Sequence, residues 1–383
     1  MRILGKGLTA KAIKEKYPNA TWYDDNDLKV YEKDSDELSV VSPGIPPSNE
    51  LVKNTKNLVS EYDLLIPKDK FTIWISGTNG KTTTTSMCEH ILKEYGAVCG
   101  GNIGTPLAAM DEDAPIWILE TSSFTMHYTN MCKPNIYLLL PISDDHVSWH
   151  GSFEAYENSK LKPLELMDSN DIVILPSMYK TRPTNAFCIY YDSSKDLAEY
   201  FDIEIEKLDF NDPFLFDAIM AMASEKILFD SVNYNKMNSF NRAEHTLEEF
   251  VDSKNRVWVN DSKGTNVDAS IQAIKSYKDK SIHLIVGGDD KGADLNPFFK
   301  QIAKQKIELY LIGSNIEKTI QLSKEYNIVY NVCDSLEECV NKIDKNYENI
   351  NSIGILSPAA SSLDQFPSYK KRGENFKYFV KSL

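Results

Sequence analysis

The sequence predicts an α/β protein of three domains, and three observations carry that prediction. Apolar runs of strand length alternate with stretches of helical spacing along the chain, the pattern of strands joined by helical crossovers. At 383 residues the chain exceeds one ordinary domain. Glycine- and serine-rich segments follow several apolar runs, at the carboxyl ends of strands where α/β proteins build their sites. The expected partition is a small Rossmann-like domain over residues 1–70, a central parallel sheet over 71–238 and a second Rossmann-like domain over 239–383.

Composition narrows the function classes. Apolar residues make up 42% of the chain, and the net charge is −14. That balance argues against a nucleic-acid partner, which needs a basic face. An anionic ligand must then be met by local cations and backbone N–H groups. The six cysteines (88, 99, 132, 188, 333 and 339) form no C-x-x-C or Cys/His cluster, which fits free thiols in a reducing cytoplasm. The first residues contain no apolar stretch of signal-peptide length, and no run approaches the ~18 apolar residues of a membrane helix. A cytoplasmic monomer without a membrane partner is expected.

In the first domain, Arg2–Leu4 reads as a strand and Gly5-Lys6-Gly7-Leu8-Thr9-Ala10 opens a helix. A second strand, Ala20–Tyr23, ends at Asp24-Asp25. This G-x-G-x-x-A pattern with an acidic residue about 20 positions on matches a dinucleotide fingerprint. A purely structural glycine turn fits the same residues. The fold-level expectation is a half domain with a nucleotide-sized pocket at its strand ends.

The central domain is organised by Gly77-Thr78-Asn79-Gly80-Lys81-Thr82-Thr83. A strand (Phe71–Ile75) leads into it, and a helix over Ser86–Lys93 follows, the context a phosphate-binding loop requires. Glycines let backbone N–H groups face an anion at a helix N-terminus. Lys81 is placed to reach outer phosphates and the Thr82 hydroxyl to ligate Mg²⁺. The spacing is shorter than the standard loop, because Ile75 stands where the first glycine is usual. This makes the central sheet one of the P-loop ATPase type. Strand Ile116–Leu119 then delivers Glu120, and strand Ile136–Leu140 delivers Asp144-Asp145-His146. Acidic or imidazole groups at strand ends beside a phosphate loop suit Mg²⁺-nucleotide chemistry. Glu120 also reads as a capping or surface carboxylate. His146 and His150 are four apart, but residues 145–151 read as a loop and no Glu follows His146, so zinc is disfavoured. A helix capped by Ser152 runs to Leu161, and on pattern alone its Lys160 is a surface lysine.

Strands at Asp171–Leu175 and Ala186–Tyr191 and an apolar helix at Phe214–Phe229 complete the central domain, and the polar stretch Asn233–Phe240 reads as a boundary loop. The third domain alternates again, from a strand at Arg256–Val259 to a strand at Ser352–Leu356 and a terminal helix. Three polar segments follow its strands: 260–266, 287–294 and 357–366. They should crowd one sheet edge, where Lys263 and Lys291 can neutralise an anion.

Taken together, Gly77–Thr82, Gly101–Gly104, Glu120–Phe124, Asp145-His146, Asn260–Asn266, Gly287–Asp294 and Ser361–Phe366 resemble the Mur ligase family across all three domains. The last three segments resemble the branch that joins D-glutamate to UDP-N-acetylmuramoyl-L-alanine. The resemblance implies a UDP-substrate domain, an ATPase domain and an amino-acid domain, with ATP-dependent amide formation through an acyl phosphate. It implies catalytic roles for Lys81, His146, Lys160 and Lys291, with Mg²⁺ held by Thr82, Glu120, His146 and a carbamylated Lys160. ATP would be contacted by residues 77–83 and by Arg242, Asn260 and Asp261. The UDP substrate would be contacted by Gly7, Leu8, Thr9, Asp24, Ser42, Asn102 and Ser122, and D-glutamate by Lys263, Thr265, Lys291, Ser362 and Tyr369. The chain departs from the family at Thr125, where a Gln is usual, and at Pro213-Phe214-x-x-Asp217, which replaces His-Asn-x-x-Asn. Tyr369 stands where some members have Phe.

Overall fold

The computed structural model describes residues 1–24, 31, 35–102, 104–348 and 351–383. Asp25 and Ile103, both part of motifs above, lie outside the described residues. The chain divides into two compact units, Met1–Phe240 and Asn241–Leu383.

The first unit holds two sheets. The smaller is parallel, in the order Thr21–Tyr23, Arg2–Leu4, Ser39–Val41, Leu58–Val59. Ser39–Val41, which the sequence presents only as a lead into a Pro-rich turn, is thus its third strand. The larger is also parallel, in the order Phe187–Tyr191, Ile172–Pro176, Ile136–Leu139, Phe71–Ser76, Ile116–Glu120, Ala97–Gly101. Helices on both faces explain why these strands read as unbroken apolar runs. Ile73, Trp74, Ile75, Ile118 and Leu138 are all fully buried. One core packs Ile73, Ile75 and Leu138 against Met87, Ile91 and the helix Phe214–Phe229. The other packs Trp74, Trp117 and Leu139 against Ile3, Val40 and Tyr62, which joins the two sheets.

The second unit is one six-stranded sheet in the order Glu248–Val251, Val257–Asn260, Ser352–Leu356, Ser281–Val286, Ile307–Leu311, Tyr330–Val332. All neighbours are parallel except the first pair. The antiparallel strand Glu248–Val251 escapes sequence reading because Glu-Glu-Phe-Val is charged and half exposed, as suits an edge.

Two loop expectations are corrected. Tyr234–Asn238 is a short helix, because the Asn233 side chain accepts from the N–H of Lys236 and caps it. Val147–His150 is one helical turn, entered through His146 at φ 54°. No helix among the described residues is long and apolar enough to cross a membrane.

Candidate active site

In the first unit the site grows from the buried strand Phe71–Ser76. Its exit needs glycine: Gly80 has φ 83°, and a Cβ there would lie 2.5 Å from Asp217 Oδ1. The helix Lys81–Leu92 starts at once, so its free N–H groups face the loop. The Lys81 ammonium folds back to donate to the Thr78 carbonyl at 2.6 Å.

Thr82 and Glu120 meet here. The Thr82 hydroxyl donates to Glu120 Oε2 at 2.8 Å, and the Asn102 amide donates to Oε1 at 2.6 Å. Glu120 is only 2% exposed, so its reading as a surface or capping carboxylate is overturned. Lys160 is corrected in the same way. It is buried, and its Nζ donates to the Gly77 carbonyl at 2.7 Å, with Ser76 Oγ at 3.4 Å. The Tyr156 ring lies 4.8 Å from that Nζ.

Electrostatics bind the group together. Burial holds the Lys160 amine well below its ordinary range, and the neighbouring Lys81 adds to the effect, while Asp145 and Glu120 oppose it. Burial also lowers Lys81, against the same two carboxylates. Both lysines are therefore poised nearer neutrality than free amines. His146 follows Asp145 in the chain, its Nε2 3.5 Å from Asp145 Oδ2 and its ring edge-on to Phe124.

The oxygens of Thr82, Glu120 and Asp145 are hard donors of the kind Mg²⁺ prefers. Among the described residues no three His, Cys, Asp or Glu side chains gather into a metal cage. The Thr82 hydroxyl and the Glu120 carboxylate, already in contact, fit Mg²⁺, which is usually held by one or two carboxylates together with substrate phosphates. The His146/His150 pair does not fit zinc, since both ring nitrogens of His150 are engaged, Nε2 with Ser123 Oγ at 3.0 Å and Nδ1 with Ser159 Oγ at 3.4 Å. Burial also lowers the His150 ring to about 4.

The small sheet brings Gly7, Asp24 and Ser42 to its strand ends. Gly7 starts the helix Leu8–Lys16, and Leu8 is exposed. A Cβ on Gly7 would lie 3.2 Å from Ser42 Oγ, and Asp24 pairs with Lys6 at 3.1 Å. Ser122 caps the helix Ser123–Tyr128 by accepting from the N–H of Thr125. The Thr125 hydroxyl turns inward to Ser122 Oγ at 3.0 Å. Asp217 is buried and takes the Thr84 hydroxyl at 3.0 Å.

In the second unit the three polar loops are laced to one another. Asp289 and Ser361 exchange both backbone hydrogen bonds, at 3.0 and 2.8 Å. The N–H of Ala359 donates to Gly264 O at 3.1 Å. Buried Arg372 donates to Ser262 Oγ, Ser262 O and Ala360 O at 3.0, 2.9 and 3.1 Å. Lys263, Thr265, Lys291, Ser362 and Tyr369 all lie on or beside these loops, with Lys291 exposed and Ser362 buried. Asn260 and Asp261 are turned inward. The Asn260 amide contacts His245 Nδ1 at 2.8 Å and Glu248 Oε2 at 3.0 Å. Asp261 accepts from Ser357 Oγ at 2.6 Å and from the N–H of Leu247 at 3.2 Å. Burial pushes its carboxyl up to about 7. Arg242 is exposed.

Comparison with known proteins places this architecture. Residues 75–187 match the Mur ligase middle domain. The UDP-N-acetylmuramoylalanine–D-glutamate ligase of Campylobacter jejuni subsp. jejuni serotype O:23/36 is 47% identical over 399 residues, covering 100% of this chain and 99% of the relative. The Helicobacter pylori (strain ATCC 700392 / 26695) protein of the same name is 42% identical, covering 99% of this chain and 98% of its own. The chain belongs to the Mur ligase family. Among solved structures, Thermotoga maritima MurF in complex with ADP matches with TM-score 0.61 at 12% identity, over 99% of this chain and 93% of that one.

For a Mur ligase, sequence reasoning missed several residues beside the site. Asp145, which the sequence places among the acidic groups at a strand end without a role of its own, acts on both lysines. The Tyr156 hydroxyl lies 3.0 Å from Thr78 Oγ1, a contact that no sequence motif marks. Arg372 carried no signal beyond a basic residue in a terminal helix.

Proposed function

We propose that this Mur ligase adds D-glutamate to UDP-N-acetylmuramoyl-L-alanine with conversion of ATP to ADP and phosphate, a step of peptidoglycan synthesis in the cytoplasm. The observation that carries the reading is the Thr82–Glu120 pair, set beside buried Lys160 on the glycine loop. It occurs in a chain nearly half identical, end to end, to D-glutamate ligases. Residues 1–70 would receive the UDP moiety, 71–238 the ATP phosphates and 239–383 the amino acid, in a monomer.

A carboxylate is a poor electrophile, so the substrate's terminal carboxylate oxygen attacks the γ-phosphorus and ADP leaves. The amine of D-glutamate then attacks the acyl carbon, phosphate departs, and the ammonium proton is lost to solvent. Residues 77–83 would cradle the phosphates with backbone N–H groups, and Lys81 would swing from Thr78 O to the outer phosphates. Mg²⁺, held by Thr82, Glu120 and His146, would screen the anions that must meet. Lys160, driven toward the neutral amine by burial, is suited to add carbon dioxide: an Nζ–C bond forms, one proton leaves, and the lysine becomes a carboxylate-like ligand. Arg242, Asn260 and Asp261 remain proposed nucleotide residues. Gly7, Leu8, Thr9, Asp24, Ser42, Asn102 and Ser122 are proposed for the UDP substrate. Lys263, Thr265, Lys291, Ser362 and Tyr369 are proposed for D-glutamate.

The test is phosphate release with ATP, UDP-N-acetylmuramoyl-L-alanine and a panel of amino acids. Release with D-glutamate and only background with the others is expected. Release with another amino acid but not D-glutamate would overturn the reading.

A further inference from the structure

A fourth loop of the second unit, which neither the motifs nor the proposed pocket includes, touches two of the loops that carry the pocket residues. It is Gly313-Ser314-Asn315, after the strand Ile307–Leu311. Asn315 occupies the N-cap position of the helix Ile316–Glu325, where an Asn side chain ordinarily accepts from its own helix. Here it makes no such bond. Its Oδ1 accepts from the N–H of Gly288 at 3.1 Å, and its Nδ2 faces Asp290 Oδ2 at 3.4 Å. By contrast, Asn266, Ser335 and Ser368 in the same unit all cap their helices.

The backbone repeats the connection. The N–H of Asn315 and the hydroxyl of Ser314 both donate to Gly288 O, at 3.2 and 3.1 Å. The N–H of Ser314 donates to Asp364 Oδ2 at 2.8 Å. Gly288 itself has φ 142°, and a Cβ there would lie 2.2 Å from Ser361 O. One turn thus holds the loop that presents Lys291 and, through Asp364, the loop that presents Ser362. A capping residue diverted from its helix gives up a stabilising bond, so its use elsewhere calls for a role.

We propose that Asn315, with Ser314, is a positioning residue of the amino-acid pocket: it fixes the spacing of the 287–294 and 357–366 loops, and so the reach of Lys291 and Ser362 to the amino-acid substrate. This rests on the reading of those loops as the D-glutamate pocket. Asn315 touches no substrate; it acts through Gly288 and Asp290.

The experiment is steady-state phosphate release by the full chain for wild type, Asn315→Ala and Asn315→Asp, varying D-glutamate, ATP and UDP-N-acetylmuramoyl-L-alanine in turn. Wild type must first turn over with D-glutamate; if it does not, the functional reading fails before this one is reached. Given turnover, loss of one positioning bond predicts a rise of about tenfold in KM for D-glutamate in Asn315→Ala. The KM values for the other two substrates stay within about twofold of wild type. Asn315→Asp keeps the acceptor for Gly288 N–H but turns a carboxylate oxygen toward Asp290 Oδ2, so it is expected to recover only part of the loss. A wild-type KM for D-glutamate in Asn315→Ala would overturn the proposal. So would an equal change in all three KM values with a lowered melting temperature, which marks a merely structural residue.

Discussion

The Nζ of Lys160 lies 2.7 Å from the carbonyl oxygen of Gly77, the first glycine of the phosphate loop, 83 positions earlier in the chain. The contact places a buried amine where ATP and metal charge would gather. Lys160→Ala is therefore expected to be nearly inactive while folding normally. Because the missing group would be a carboxylate-like ligand, a short carboxylate such as acetate should restore part of the activity. Turnover like wild type in Lys160→Ala, measured as phosphate release, would remove the metal-ligand role.

The Thr82 hydroxyl donates to Glu120, so each orients the other. Thr82→Val keeps the shape and loses the oxygen. It should raise the Mg²⁺ concentration for half-maximal activity by about tenfold, the scale of one lost ligand or its orienting partner. Glu120→Gln, which loses the charge, should raise it further. A titration of activity against Mg²⁺ that overlays wild type for both variants would count against this assignment.

Gly80 makes the steric limits of the loop measurable. An Ala there meets the left-handed φ of 83° and places its Cβ 2.5 Å from Asp217 Oδ1. The backbone cost alone is about 1–2 kcal/mol, and Asp217 is held by Thr84, so the loop rather than the carboxylate should move. Weaker ATP binding by calorimetry is expected for Gly80→Ala, with binding of the UDP substrate unchanged.

The strands were legible wherever apolar runs ended in glycine or a carboxylate, as at Ile73–Gly77 and Ile116–Glu120, because burial on both faces writes itself into composition. Lys160 was not legible from pattern. Its helix Phe153–Leu161 buries Tyr156, Ser159, Lys160 and Leu161 together, a face of mixed polarity that no periodicity marks. Asn315 was hidden for a different reason. An Asn before a helix reads as a cap, but in the fold its side chain serves another loop. Helix Tyr234–Asn238 was missed because its five residues bury only Met237, which makes no apolar stripe, and depend on one cap.

Glu61 offers a test of stability. It begins the short helix Glu61–Leu65 and is 5% exposed, and burial raises its carboxyl from 4.5 to about 8. Below 4.5 the folded and unfolded chains both hold the proton, so the group is neutral to folding. Between 4.5 and about 8 the unfolded chain ionises while the folded chain keeps its proton, so stability falls as pH rises through this window. Above that, both states are charged and the loss levels off. Glu61→Gln keeps the shape and cannot ionise, so it should stabilise the protein by about 3 kcal/mol near pH ~7 and hardly at all at the acid end. The measurement is the melting temperature of both proteins across this pH range. Parallel curves would show that Glu61 is charged in the folded chain and that its burial is compensated.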